Sequence, residues 1–156
     1  GTSNTAAVIS VDGREARPLL FDGSPLLPSA VCVEQGGRLL AGRDALHTGL
    51  ANPESLEPYP KRCIDDGTVL LGELEVPVER LIGAVLGRVV EEATRTAGGP
   101  VTEAVLTCPA AWGDRRRETL LSAARGILPG VLTQVQDDLG FSDTQAALCA
   151  TRSTTL

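Results

Sequence analysis

Methionine is absent from the 156 residues, and lysine, histidine, tryptophan and tyrosine occur once each. Each scarcity removes a class of reading. With His47 alone, and with Cys32, Cys63, Cys108 and Cys149 spread out and forming no C-x-x-C pair, the chain carries neither a zinc-ligand spacing nor a disulfide framework. Its cysteines read as buried thiols. Apolar runs are broken by Gly, Pro, Arg or Glu well before the ~18 residues of a spanning helix, and no basic-then-apolar leader is present. Positive charge is also short: 14 Lys plus Arg face 20 Asp plus Glu, a net charge of -6. That balance argues against nucleic acid or an anionic membrane surface as the main partner. A soluble, cytoplasmic protein is expected, and without methionine the chain reads as a piece of a longer one.

What is present is enough apolar material, 42% of the residues, for one sizeable core. The run TAAVISV (5–11) reads as a strand ending in Asp12-Gly13, the dipeptide of a two-residue hairpin turn, with a return strand over 14–20. Two more strand-like runs flank Gly36-Gly37, so residues 1–42 read as an antiparallel meander of three or four strands. A short helix is expected over 43–51, stopped by Asn52-Pro53. The irregular stretch 54–75 follows, with a hairpin about Asp66-Gly67.

Periodicity then becomes decisive. Val78, Leu81, Ile82, Val85, Leu86, Val89, Val90 and Ala93 recur at three- and four-residue spacing, a helix over 77–97 closed by Gly98-Gly99. VTEAVLTCP (101–109) reads as a strand covered on both faces. Asp114 is placed to cap a helix to 127 with Leu120, Leu121, Ala124 and Ile127 on its apolar face. A parallel strand over 131–136 is expected beyond Pro129-Gly130, and a helix about 143–150 in the less patterned end.

Three stretches carry candidate chemistry. GTSNT can turn backbone N–H groups and hydroxyls toward phosphate oxygens, and equally can be an ordinary strand-entry turn. Lys61, in a chain that otherwise uses arginine, suits a transferring phosphate as a compact ammonium on a flexible stem, or else is a solvated loop residue. Pro109 fixes a strand end before a helix, and Arg117 is one of three successive arginines open to solvent or to use.

Taken together these stretches resemble the seventy-kilodalton heat-shock chaperones of DnaK type, members of the actin-like ATPase superfamily. GTSNT is similar to the family's first phosphate loop, D-x-G-T-T-N-S, without its leading aspartate. NPESLEPYPKR falls where the family has N-P-x-N-T-I-x-x-x-K-R, and VTEAVLTCPAAWGDRRRE resembles V-x-x-A-V-I-T-V-P-A-Y-F-N-D-x-Q-R. Order and spacing agree over residues 1–137, and 138–156 diverges.

The resemblance implies an α/β fold, the ribonuclease H-like lobe of an actin-like ATPase: a mixed sheet with an antiparallel N-terminal meander and flanking helices. It implies ATP or ADP with Mg²⁺ as ligands, Gly1, Thr2, Ser3 and Asn4 at the phosphates, and Lys61 as the lysine that orients the attacking water. It makes Pro109 and Arg117 a coupling relay, and it sets Asp137 at a glutamate that bridges metal-bound water and that relay. Here Ala111-Trp112-Gly113 replaces Y-F-N, and Asp137 is one methylene short with no proline after it. Client polypeptides and co-chaperones are the implied partners. The alternative is a non-hydrolysing actin-fold scaffold, for example an accessory to an actinobacterial secretion system.

Overall fold

A computed structural model describes residues 2–130, 132–138 and 146–152, the last two stretches as backbone. Its first strand, β1 (Asn4–Val11), turns Thr5, Ala7 and Ile9 inward at alternate positions. Asp12 and Gly13 follow with φ of 53° and 70°, and the Arg14 N–H donates to Val11 O at 3.1 Å, the expected two-residue turn. The return strand expected over 14–20 forms a ladder only at β2 (Arg17–Pro18), and β3 (Leu27–Pro28) pairs further along the same edge of β1. Prolines 18 and 28 lack the N–H that a longer ladder needs.

The meander also divides. Strands β4 (Val31–Val33) and β5 (Leu39–Ala41) form the hairpin about Gly36-Gly37, but they join β6 (Leu56–Glu57) in a second sheet. Between them and β3, the Ser29 N–H bonds to Ser3 O and closes off the first ladder. Helix α1 (Arg43–Gly49) packs on β4, with Gly49 so close to β6 that a Cβ there would lie 2.7 Å from Leu56 Cδ2. Two 3-10 turns follow, Pro53–Ser55 and Pro60–Cys63. The next hairpin, β7 (Thr68–Leu71) and β8 (Leu74–Pro77), turns at Gly72-Glu73 instead of Asp66-Gly67. Gly67 stands at its open end, where its carbonyl accepts from Val78 N–H at 2.9 Å.

Helix α2 (Val78–Ala97) buries the predicted stripe from Val78 to Ala93 except Val90, which is half-buried, and ends at Gly98, left-handed with φ 68°. Its stripe covers β1 and joins Ala7, Ile9, Leu19 and Phe21 in one core with Ala104, Leu106 and Cys108. Those last three lie on β9 (Glu103–Pro109), which alternates buried and half-buried positions and so is closed fully on one face, not on both. Helix α3 (Asp114–Ile127) is capped by Gly113, with no side-chain cap bond; Asp114 is its first helical residue, where a carboxylate still favours the helix dipole. Its buried face is Leu120, Ala123 and Ala124, while Leu121 is half-buried and Ile127 is exposed. Packing against α2, where Gly83 and Gly87 lie beneath Ile127, leaves that side chain on the rim.

Strand β10 (Leu132–Asp138) runs parallel to β9 as expected. Of the helix expected about 143–150, residues 143–145 lie outside the described residues, and 146–150 belong instead to β11 (Ala146–Arg152). It lies between β1 and β9, parallel to the former and antiparallel to the latter, in a sheet ordered β10-β9-β11-β1-β2. An alanine-rich segment favours helix by itself, but here two strand edges offer backbone partners on both sides, and the sheet overrides the propensity. No helix among the described residues is long and apolar enough to cross a membrane.

Candidate functional site

Lys61 sits in the second 3-10 turn, and local chemistry holds that turn rigid. Pro60 is fully buried with its φ fixed, the Arg62 N–H donates to Tyr59 O at 2.8 Å, and the Arg62 guanidinium lies 4.5 Å from the centre of the Tyr59 ring. Helix α2 packs behind the turn. The lysine therefore points inward: it is 9% exposed, and its Nζ donates to Thr5 Oγ1 at 2.8 Å. Thr5 Oγ1 lies 2.9 Å from Ser29 Oγ, within a fully buried hydroxyl pair. Burial disfavours the ammonium and lowers the Lys61 pKa from 10.5 to about 8.

This hydrogen bond joins the end of GTSNT to the lysine across 56 residues of sequence. Asn4 and Thr5 already belong to β1, so the loop before the strand is shorter than expected; Thr2 and Ser3 lie in it, half-buried. Gly1 lies outside the described residues. The Ser3 carbonyl is held by Ser29 N–H at 3.0 Å.

The third stretch forms its own cluster. The Trp112 N–H donates to Pro109 O at 2.9 Å, and Arg117 Nε reaches back to Trp112 O at 2.9 Å. Arg117 thus ties the start of α3 to the turn after β9. Asp137 pairs with Cys108 and Asp138 with Pro109 across the parallel β9–β10 ladder; the Asp137 side chain lies outside the described atoms. Thr5 pairs with Ala146, and Leu148 with Leu106, so walking back along β11 brings Thr5 to the same end of the sheet as Cys108 and Pro109.

A bridge connects the two clusters. Arg116 donates through Nε and its terminal nitrogen to both Asp65 oxygens, clamping α3 to the segment just after the lysine turn. The guanidinium holds the Asp65 carboxyl below the usual carboxylate range.

Thr5, Ser29, Asp65 and Arg116 are the participants that reasoning from the sequence did not assign. A polar Thr5 at the inward position of an otherwise apolar alternation was a usable signal. Ser29 offered none, because its role depends on where β3 leaves the sheet.

At this end of the sheet a buried ammonium lies beside small hydroxyl residues, a charge and donor set that suits a phosphate group. Among the described residues there is no group of three His, Cys, Asp or Glu side chains that could hold a metal ion. Mg²⁺ bound through phosphates needs only one or two carboxylates and keeps several waters. Elsewhere, a groove of about 460 Å³ opens between the β4–β5 hairpin, α2 and α3, lined by Arg38, Glu79, Arg80, Gly83, Gly126 and Ile127. It contains none of these site residues. Cys32 and Cys63 are not in disulfides; Cys32 and Cys108 are buried as expected, Cys63 is only half-buried, and the Cys149 side chain lies outside the described atoms.

No protein-family model matches the chain. Known chaperones do. The chain is 33% identical over 130 residues to the chaperone protein DnaK of Elusimicrobium minutum, covering 80% of this chain and 21% of the relative. It is 31% identical over 129 residues to DnaK of Picrophilus torridus, at 79% and 21% coverage. To DnaK of Thermotoga neapolitana it is 28% identical over 133 residues, at 84% and 22%. The relatives are thus chaperones of the seventy-kilodalton heat-shock class. The chain is a DnaK-like segment, and it spans about a fifth of the length of the relatives it matches.

Proposed function

We propose that residues 1–137 are the first lobe of an actin-like ATPase domain with a ribonuclease H-like sheet, followed by a divergent segment over 138–156. In the whole protein this lobe binds ATP with Mg²⁺ and supports its hydrolysis, and the nucleotide cycle drives a conformational switch acting on client polypeptides with co-chaperones. The observation that supports the reading is the 2.8 Å bond from Lys61 to Thr5, the last residue of the stretch that resembles the family's phosphate loop.

Backbone and hydroxyl groups of residues 1–4 would hold phosphate oxygens. Lys61 supplies a fixed cation where negative charge builds during phosphoryl transfer and helps to orient the attacking water. Burial leaves the ammonium weakly solvated, and at a pKa of about 8 most of the population is still charged at neutral pH. Pro109, Arg117 and Asp137, on adjoining strand ends and the following helix, would carry the nucleotide state outward. Mg²⁺ when bound offsets triphosphate charge.

The test is Lys61→Ala in the full-length protein. ATP binding should persist with turnover abolished, as nucleotide-binding and phosphate-release assays would show. Turnover at the normal rate would overturn the assignment.

A further inference from the structure

We infer that the hydroxyls of Thr5 and Ser29 form a hydrogen-bonded chain that sets the position of the Lys61 ammonium, which makes both positioning residues for the proposed phosphoryl-transfer site. The inference rests on the reading of Lys61 as the phosphate-facing cation. An ammonium only donates, so Thr5 Oγ1 accepts from Nζ at 2.8 Å; the arrangement that also uses the single Thr5 hydrogen directs it to Ser29 Oγ at 2.9 Å.

Ser29 makes a second tie, because its N–H holds the Ser3 carbonyl at 3.0 Å, and Asn4 between them pairs with Pro28. Residues 3 to 5 are therefore pinned by residues 28 and 29, and Lys61 is pinned to residue 5. One short segment fixes the loop and the cation relative to each other.

Burial makes this geometry consequential. Thr5, on a strand face continued by Ala7 and Ile9, is 3% exposed, Ser29 0% and Lys61 9%. Water is scarce as a substitute partner there, so removing either hydroxyl loosens the hold on the ammonium's position. In a site that works by preorganised charge, displacement of the cation lowers kcat more than it changes KM.

The experiment uses the full-length protein with Thr5→Val, Thr5→Ser and Ser29→Ala. Lys61 acetylation by acetic anhydride is followed by peptide-resolved mass spectrometry without nucleotide, and kcat and KM for ATP are measured in parallel. In Thr5→Val the labelling rate should rise, and kcat should fall, by about tenfold, the size expected for one lost hydrogen bond to a charged group, with KM little changed. Ser29→Ala should move both in the same direction by less, and Thr5→Ser should return them toward wild type. If Thr5→Val fails to fold, Ser29→Ala, which removes a single oxygen, carries the test. Wild-type labelling and kcat in Ser29→Ala and Thr5→Val would overturn the inference, even if Lys61→Ala abolishes turnover and the proposed function survives. Labelling that follows this order in a protein without ATPase activity would uphold the positioning chain and overturn the proposed function.

Discussion

Lys61 and Glu92 are both buried and ionisable, yet their surroundings treat charge in opposite ways. Glu92, 5% exposed on α2, accepts bonds from Arg95 and from Thr96 Oγ1 at 3.3 Å, with Arg88 3.9 Å away. Hydrogen bonding from Arg95 is the main cause that holds its carboxyl below the ordinary value of 4.5. Around Lys61 the dominant influence is desolvation, and the charged form is disfavoured. At Glu92 hydrogen bonds from the same helix turn outweigh burial; at Lys61 burial outweighs the hydrogen bonding. A group kept under that strain is a candidate for use, whereas the compensated one is explained by folding alone.

The largest expected effect sharpens the contrast by leaving both charges alone. Leu81→Ala, in the α2 core, should cost about 2–5 kcal/mol in a denaturation experiment, because the removed methyl groups leave a cavity in a fully buried stripe. Lys61→Met should act in the opposite direction. A fall from 10.5 to about 8 corresponds to roughly 3 kcal/mol, an upper limit on the stabilisation expected below pH 8, because the lysine's favourable interactions are lost with its charge.

The pH dependence gives that prediction its sign. Below pH 8 both folded and unfolded chains carry the Lys61 proton and the folded state bears the full penalty. Between 8 and 10.5 the unfolded state binds more protons, so wild-type stability rises with pH relative to Lys61→Met. Melting curves of the two proteins across that window should converge, and a constant difference would break the comparison.

Glu92→Gln is expected to have the smallest effect, a loss of about 1 kcal/mol, discounted because Arg95 is 75% exposed to screening solvent. Its lowered pKa means the contribution is present above 4.5 and is lost as pH falls through the folded value. Acid titration of the melting midpoint should show wild type and Glu92→Gln approaching each other. A loss as large as that of Leu81→Ala would mean that Glu92 is not a locally compensated charge.

The same pair of residues explains what was legible. Glu92, Arg88, Arg95 and Thr96 fall three and four apart on a helix that the apolar period already announced, so their meeting follows from helical geometry. The Asp12-Gly13 turn and the Gly98 cap were readable for a similar reason, since each depends on backbone conformations that few residues tolerate. Lys61 was visible by its rarity and by its resemblance to a family position. Its partners were not: Thr5 and Ser29 meet it only because β1, the exit from β3 and a 3-10 turn converge. The Asp65–Arg116 clamp was hidden likewise, with Arg116 standing where the family pattern has glutamine. The strand over 146–152, where a helix was expected about 143–150, followed from neighbouring strand edges, which local propensity does not record.

By itself the sequence determined the mixed α/β class, the α2 core stripe, the parallel β9–β10 pair and the DnaK-like motifs, because these depend on periods, turns and spacings within short windows. Only the tertiary structure decided that the meander divides between two sheets, that β11 lies between β1 and β9, and that Lys61 is buried against Thr5 and Ser29. Those outcomes depend on which distant backbone groups and hydroxyls are left to satisfy one another once the core has closed.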